Sequence, residues 1–328
     1  MLAQVSSKPS YRDAAGGFNS DTDARTLQGR ASDTWKFGAQ AVTAFASWDR
    51  WRVDDRSTFG TNLDGRVSSL WGGGFQDALA FGSFTAVAGV RYDRHSAFGS
   101  AWSPRATLAW VSTDALWKAR VSAGRAFRAP TVGELYYPFF GNPNLEPERS
   151  SSYELGAERY VGGGRVEVSL FWNDLSNLIS PDFSTSRNAN IGRARTRGVE
   201  VLWRQRLLPS LEADATYTYL DAQDLQKGVG LLRRPRHRAA LAVSWHPLSA
   251  LTLSPRAVFV GTRPDVDALT FGRTESPSYT RFDLFARWEL GHFAPYARAE
   301  NLSDRRYAEV NGYPAPRRRW AGGVEMKF

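Results

Sequence analysis

Polar and apolar residues alternate along most of this chain with a period of two, in segments of about ten residues. In LEADATYTYL, Leu211, Ala213, Ala215, Tyr217 and Tyr219 share one face, while Glu212, Asp214, Thr216 and Thr218 share the other. In RFDLFARWEL, Phe282, Leu284, Ala286, Trp288 and Leu290 oppose Arg281, Asp283, Arg287 and Glu289. Phe84 to Tyr92 against Thr85, Arg91 and Asp93 reads the same way, as does the Ala239, Leu241, Val243, Trp245 series. The pattern predicts about fourteen strands, starting near residues 37, 63, 78, 102, 116, 149, 164, 189, 210, 236, 250, 279, 293 and 317, with a more uneven one near 26. Helical periodicity is nearly absent. Short breaks such as GGGR (162–165) and HPLSA (246–250) alternate with longer polar connections at 173–190, 221–235 and 261–278. Short turns at one end and long loops at the other describe an all-β, antiparallel, up-and-down barrel.

Two environments fit alternating strands. In a soluble sandwich the apolar face is a core, whereas in a transmembrane barrel it meets lipid and the charged face lines a lumen. Small residues, chiefly Ala and Gly, crowd the apolar faces where a soluble core would carry Val, Ile and Leu. Aromatic residues sit at strand ends, at Tyr217, Tyr219, Trp245, Trp288 and Trp320, where interfacial girdles belong. The final segment RRWAGGVEMKF places Trp320, Gly322, Val324, Met326 and Phe328 on one face and ends on an aromatic residue. These features select the transmembrane β-barrel. No run of about 18 apolar residues occurs, so no membrane-spanning helix is expected.

Composition removes several classes of chemistry. The 328 residues contain no Cys, which excludes disulfides, thiolate metal sites and Cys nucleophiles. The net charge of +9 is scattered rather than gathered into a patch, so no nucleic-acid partner is expected. His95, His237, His246 and His292 show no metal-ligand spacing. Asp21 and Asp23 in NSDTDA lack the Gly turn and distal Glu of a calcium loop. WGGGF and VGGGR carry no phosphate-loop Lys and read as hairpin turns. No catalytic and no metal-binding residue is assigned, and no cofactor is expected.

The longest motif is GRAFRAPTVGELYYPFFGNPNLEPERSSSYELGAERY. Phe127 to Pro130, followed by Gly141, Asn142, Pro143, Leu145, Pro147 and Glu148, resembles the most recognisable segment of TonB-dependent outer-membrane receptors. Pro and Asn fix the dihedrals of such a loop, so the motif is read as structural. NIGRARTRGVEVLWR, with Gly198 and Glu200, and ENLSDRRYAEVNGYPAPRRRWAGGVEMKF are similar to later segments of that family. Within the family, FWNDLSNLI, LLRRPRH and FVGTRPDVD are most similar to the vitamin B12 (cobalamin) transporters.

The resemblance implies the following expectations. The whole chain, 1–328, is the C-terminal part of a receptor barrel that closes about 22 strands around a plug. The plug, the TonB box and the signal peptide are expected to be absent, and the chain alone is not expected to be transport-competent. The function implied is TonB-dependent uptake across the bacterial outer membrane of a scarce metal chelate, cobalamin-like by preference. The alternatives are a siderophore-iron receptor and a passive outer-membrane channel. No bond is made or broken, so the protein is not expected to be an enzyme; an outer-membrane lipase would need a Ser–His pair on the lipid-facing surface. Partners implied are the TonB–ExbB–ExbD complex, outer-membrane lipid and a small-molecule metal chelate, with the protein itself a monomer. The resemblance places Arg233 beside the ligand, whereas the position of a ligand-contacting tyrosine is Ala268 here.

Overall fold

The structure is a computed structural model describing residues 2–12, 17, 19–138, 140–182 and 184–327. Phe139 of the Pro-rich loop and the terminal aromatic Phe328 lie outside the described residues. The strands are β1 (Leu2–Ser7), β2 (Ser10–Arg12), β3 (Asn19–Phe37), β4 (Gln40–Ser57), β5 (Gly60–Phe81), β6 (Phe84–His95), β7 (Gly99–Val111) and β8 (Trp117–Arg128). A short helix, α1 (Val132–Tyr136), leads to β9 (Glu148–Val161), β10 (Gly164–Asp182), β11 (Arg187–Leu208), β12 (Leu211–Asp224) and β13 (Val229–Gly230). There follow β14 (His237–Leu248), β15 (Leu251–Val260), β16 (Arg263–Val266), β17 (Arg273–Ser276) and β18 (Tyr279–Trp288). The chain closes with β19 (Phe293–Glu300), β20 (Ala308–Val310), β21 (Tyr313–Pro314) and β22 (Arg319–Met326). Most long strands begin within three residues of an expected start; the exceptions are the uneven first one, which begins at Asn19 rather than near 26, and β6, which begins at Phe84 rather than near 78.

The chain divides into two compact units: residues 1–110, 121–153 and 173–194 in one, residues 111–120, 154–172 and 195–328 in the other. In the first unit β3 to β7 pair antiparallel, each with the next. One face is apolar and exposed, with Trp71, Phe75, Tyr92 and Trp102 all more than a third accessible. Outward rings pair across strands, Trp48 with Trp71 at 5.5 Å and Tyr92 with Trp102 at 4.7 Å. The other face carries ion pairs, Arg30–Asp49 at 2.8 Å and Arg91–Asp93 at 2.6 Å.

The second unit repeats this logic. β12 pairs with β14, then β14, β15, β18, β19 and β22 pair in succession. Leu241, Trp245, Phe282, Trp288, Trp320 and Val324 are exposed on the apolar face. Arg120 bridges Glu154 at 2.7 Å and Glu167 at 3.1 Å on the charged face, and Arg281 meets Asp283 at 2.9 Å. The buried Val258, Val260 and Tyr279 form only a small cluster with Ala240 and Tyr307. A water-soluble sandwich would bury its apolar face; these strands display it, as a lipid-facing wall does.

Two readings of the sequence need correction. The stretch 173–190 is not a loop: β10 runs to Asp182 and β11 begins at Arg187. Polar residues continue the ladder there because hydrogen bonding between strands needs no apolar face, and Asn177, Asn188 and Asn190 bond to Glu146 and Glu134 of the family-like loop instead. WGGGF is not a hairpin turn either, since Gly72 to Gly74 lie inside β5. A β-carbon on Gly72 would overlap the Arg91 guanidinium and the Asp93 carboxylate, and one on Gly74 would overlap the Val90 carbonyl. The glycines make room for a charged pair on the neighbouring strand. VGGGR does turn, with Gly162 and Gly163 both at positive φ (50° and 77°).

Candidate functional site

The family-like loop of the first unit is a clamp. Arg128 donates to Glu148 at 2.6 Å and to Glu134 at 3.0 Å. Thr131 and Glu134 cap α1 reciprocally, each side chain accepting from the other's backbone N–H. Asn142 Nδ2 donates to the Asn188 carbonyl at 2.8 Å, while Asn190 and Glu146 bond through both backbone groups of Glu146. Leu135 and Leu145, 1% and 2% exposed, are pinned beneath. The Asn residues thus hold the loop as the sequence reading supposed.

Arg233 lies in the second unit, in the connection between β13 and β14. Its φ is +58°, an unusual value for a residue with a side chain. Its backbone N–H donates to the Pro264 carbonyl at 2.7 Å and its Nε to Asp265 Oδ1 at 3.0 Å. Asp265, in β16, is fully buried and accepts four donors. Besides Arg233, these are the N–H groups of Val266 and Asn311, both at 2.9 Å, and the Ser276 hydroxyl at 2.8 Å. Burial opposes ionisation of this carboxyl, but the four hydrogen bonds outweigh it and hold its pKa well below the usual range. One carboxylate therefore ties together the 231–236 loop, the β16–β17 hairpin and the 301–318 loop. The last of these is also held by Asn301, whose side chain donates to the Arg305 and Pro316 carbonyls.

Beside this clamp is a polar cavity of about 410 Å³. Arg234, Arg236, Arg263 and Glu275 contribute its charged lining, together with Asp221. Asp221 is neutralised by Arg197 at 2.9 Å. Arg263 is buried and spends its guanidinium on the carbonyls of Ala308 and Glu309. Arg273 adds a further positive charge at the rim, donating to the Gly230 carbonyl at 2.6 Å. Among the described residues Arg234 and Arg236 meet no carboxylate within ion-pair distance, and the two terminal nitrogens of Arg233 make no hydrogen bond. Sequence reasoning singled out Arg233 and missed Arg234 and Arg236, which line the cavity directly. The density of Arg between 233 and 238 was the available signal.

The other sequence candidates go elsewhere. Ala268 packs so closely against Gly312 that a β-carbon there would overlap its methyl. His237 meets the Tyr217 hydroxyl at 2.8 Å and His246 the Thr252 hydroxyl at 3.1 Å. His292 faces the Lys327 carbonyl at 3.3 Å. Asp23 pairs with Arg25 at 2.8 Å. Among the described residues no group of His, Asp and Glu converges as a metal cage requires.

The profile of the family described as TonB dependent receptor-like, beta-barrel matches residues 3–302. The chain belongs to that family. Its members are receptors of the Gram-negative outer membrane rather than a family of enzymes, and the exposed apolar faces described above meet the lipid of that membrane. Solved structures with the same fold include the siderophore receptor PirA from Acinetobacter baumannii, at 17% identity and a TM-score of 0.79 over 94% of this chain and 55% of that one. A mutant ferric enterobactin receptor from Pseudomonas aeruginosa aligns with all of this chain and 59% of its own, at 20% identity and a TM-score of 0.83. The copper transporter OprC aligns over 95% of this chain and 59% of its own, at 16% identity and a TM-score of 0.78. The chain thus spans between half and three fifths of the length of these receptors.

Proposed function

We propose that this chain forms part of the wall of an importer that takes up an anionic metal chelate, of the ferric siderophore type, through the outer membrane. The observation that carries the reading is the arginine-lined cavity. Arg234 and Arg236 are uncompensated within it and Arg273 flanks it, while Glu275 offsets only one of these three charges and Arg233, at its edge, is balanced by Asp265. Such a site attracts a ligand bearing several negative charges, as iron chelated by catecholates does. The named ligands of structurally similar receptors, a siderophore and ferric enterobactin, support this class. A corrinoid fits less well, because it carries little net negative charge and the position expected to supply its aromatic contact is Ala268. Passage is proposed to be driven by TonB with ExbB–ExbD, acting on a plug domain of the whole receptor.

The test compares ferric enterobactin with cobalamin on outer membranes from receptor-deficient cells producing the protein. Ferric enterobactin is expected to bind, with affinity falling as salt rises. Changing Arg234 and Arg236 together to Gln, which leaves the Arg233–Asp265 pair intact, should weaken it about fivefold, at roughly 0.5 kcal/mol per exposed charge. Binding of cobalamin instead, or an unchanged affinity in the double variant, would overturn the reading.

A further inference from the structure

The first unit holds a second cavity, of about 380 Å³, within the range of small-molecule sites, which begins near 300 Å³. Trp51 and Val53 of β4, Ser68 of β5 and His95 of β6 form one side, and the Ala129–Gly133 stretch leading into α1 forms the other. No charged residue lines it. The family-like motif, read above as structural, therefore also supplies one wall of a mainly apolar chamber.

Its polar end has a definite hydrogen-bond polarity. Ser68 and His95 are buried, at 3% and 4% exposure. The Ala97 N–H lies 3.1 Å from His95 Nδ1, so Nδ1 must accept. The ring proton then sits on Nε2, which donates to Ser68 Oγ at 2.8 Å. Phe98 stacks on the imidazole at 4.6 Å and fixes its plane. Ser68 is thus an acceptor toward His95, and the imidazole has no lone pair facing the hydroxyl with which to activate it as a nucleophile. Among the described residues the hydroxyl's own proton has only the Ser96 hydroxyl, at 3.5 Å, the outer limit of a hydrogen bond. The chamber offers one under-used buried O–H donor, a flat aromatic wall, and nothing to compensate a charge.

We propose that this cavity binds an uncharged, planar aromatic group carrying an acceptor oxygen, the ring lying against Trp51 and the oxygen accepting from Ser68. A charged ligand is disfavoured because burying an unpaired ion costs several kcal/mol. The site uses no residue of the arginine-lined cavity and stands whatever chelate that cavity takes.

Fluorine NMR with 4-fluorobenzamide, fluorobenzene and 4-fluorobenzoate on the full chain in outer-membrane fragments tests this. Gly133→Leu is the main variant. That position lies outside the left-handed region and lines the chamber, and a β-carbon there meets only the Thr131 hydroxyl oxygen, at 4.0 Å, so the backbone accepts a side chain whose bulk competes with a ligand. Line broadening of 4-fluorobenzamide by the wild-type protein is expected to disappear in Gly133→Leu and to weaken strongly in Trp51→Ala. Ser68→Ala should cost 4-fluorobenzamide about tenfold while leaving fluorobenzene unchanged, and 4-fluorobenzoate should not bind. Equal broadening in wild type and Gly133→Leu, which partitioning into lipid alone would give, overturns the proposal. So does binding of the benzoate as tightly as the benzamide.

Discussion

Removing the Asp265 carboxylate should release three loops at once. Asp265→Ala leaves the Val266 and Asn311 N–H groups, the Ser276 hydroxyl and the Arg233 guanidinium without their common acceptor. Breaking a buried charged pair costs about 3–5 kcal/mol, and each buried neutral donor left unpaired about 1–3 kcal/mol more. Water can reach loop segments once they open, so about 3 kcal/mol is the expected local cost. That corresponds to roughly a hundredfold faster hydrogen exchange, at about 1.4 kcal/mol per factor of ten. Exchange read by mass spectrometry on peptides covering 261–278 and 301–318 measures it. Asp267→Ala is the control, because that carboxylate caps only its own tip, through the N–H groups of Leu269 and Thr270 at 3.0 and 2.8 Å. The reasoning fails if the 301–318 peptide changes less than threefold in Asp265→Ala, or as much in Asp267→Ala.

Acid should loosen the same loops. Because the folded-state pKa of Asp265 is depressed, the unfolded segment takes up the proton first; the stabilisation is complete above pH of about 4 and is lost as pH falls below it. Asp304, hydrogen-bonded by Arg317 and held down to about 2, acts in the same direction. A fluorophore on Leu269→Cys, placed in a chain without native Cys, should show steady anisotropy from pH 8 to 5 and a fall between about 4 and 2; a transition near pH 6 would contradict this. Leu241→Arg on the apolar face should cost about 2–4 kcal/mol in urea unfolding from lipid vesicles, whereas Thr216→Arg on the charged face should cost little. Equal costs would mean that the faces are assigned wrongly. Gly72→Ala should destabilise by about 1–3 kcal/mol through the Arg91–Asp93 pair, while Gly73→Ala, whose β-carbon meets only the Phe45 carbonyl at 3.4 Å, should be nearly neutral.

The legibility of this protein differs sharply between wall and loops. Leu211 to Tyr219 and Phe282 to Leu290 announced their faces directly, because side chains alternate about a strand whatever it pairs with. Lipid on one side and water on the other made that alternation strict, so strand starts near 164, 279 and 293 were readable to the residue. The same rule failed at 173–190, where polar side chains bond to the 134–148 loop and no apolar face is demanded, and at Gly72, whose glycine answers to Arg91 on the next strand.

The amino-acid sequence by itself determined the architecture and the family, since both are written in local periodicity and in short ordered motifs such as FRAP and GNPNLEPE. Only the tertiary structure decided what the loops do. Arg233 finds Asp265 across 32 residues, and His95 finds Ser68 across 27. Such partners are chosen by which hairpins the folded strands bring side by side, and by burial that makes a lone carboxylate or hydroxyl seek its donors and acceptors; no spacing along the chain encodes either.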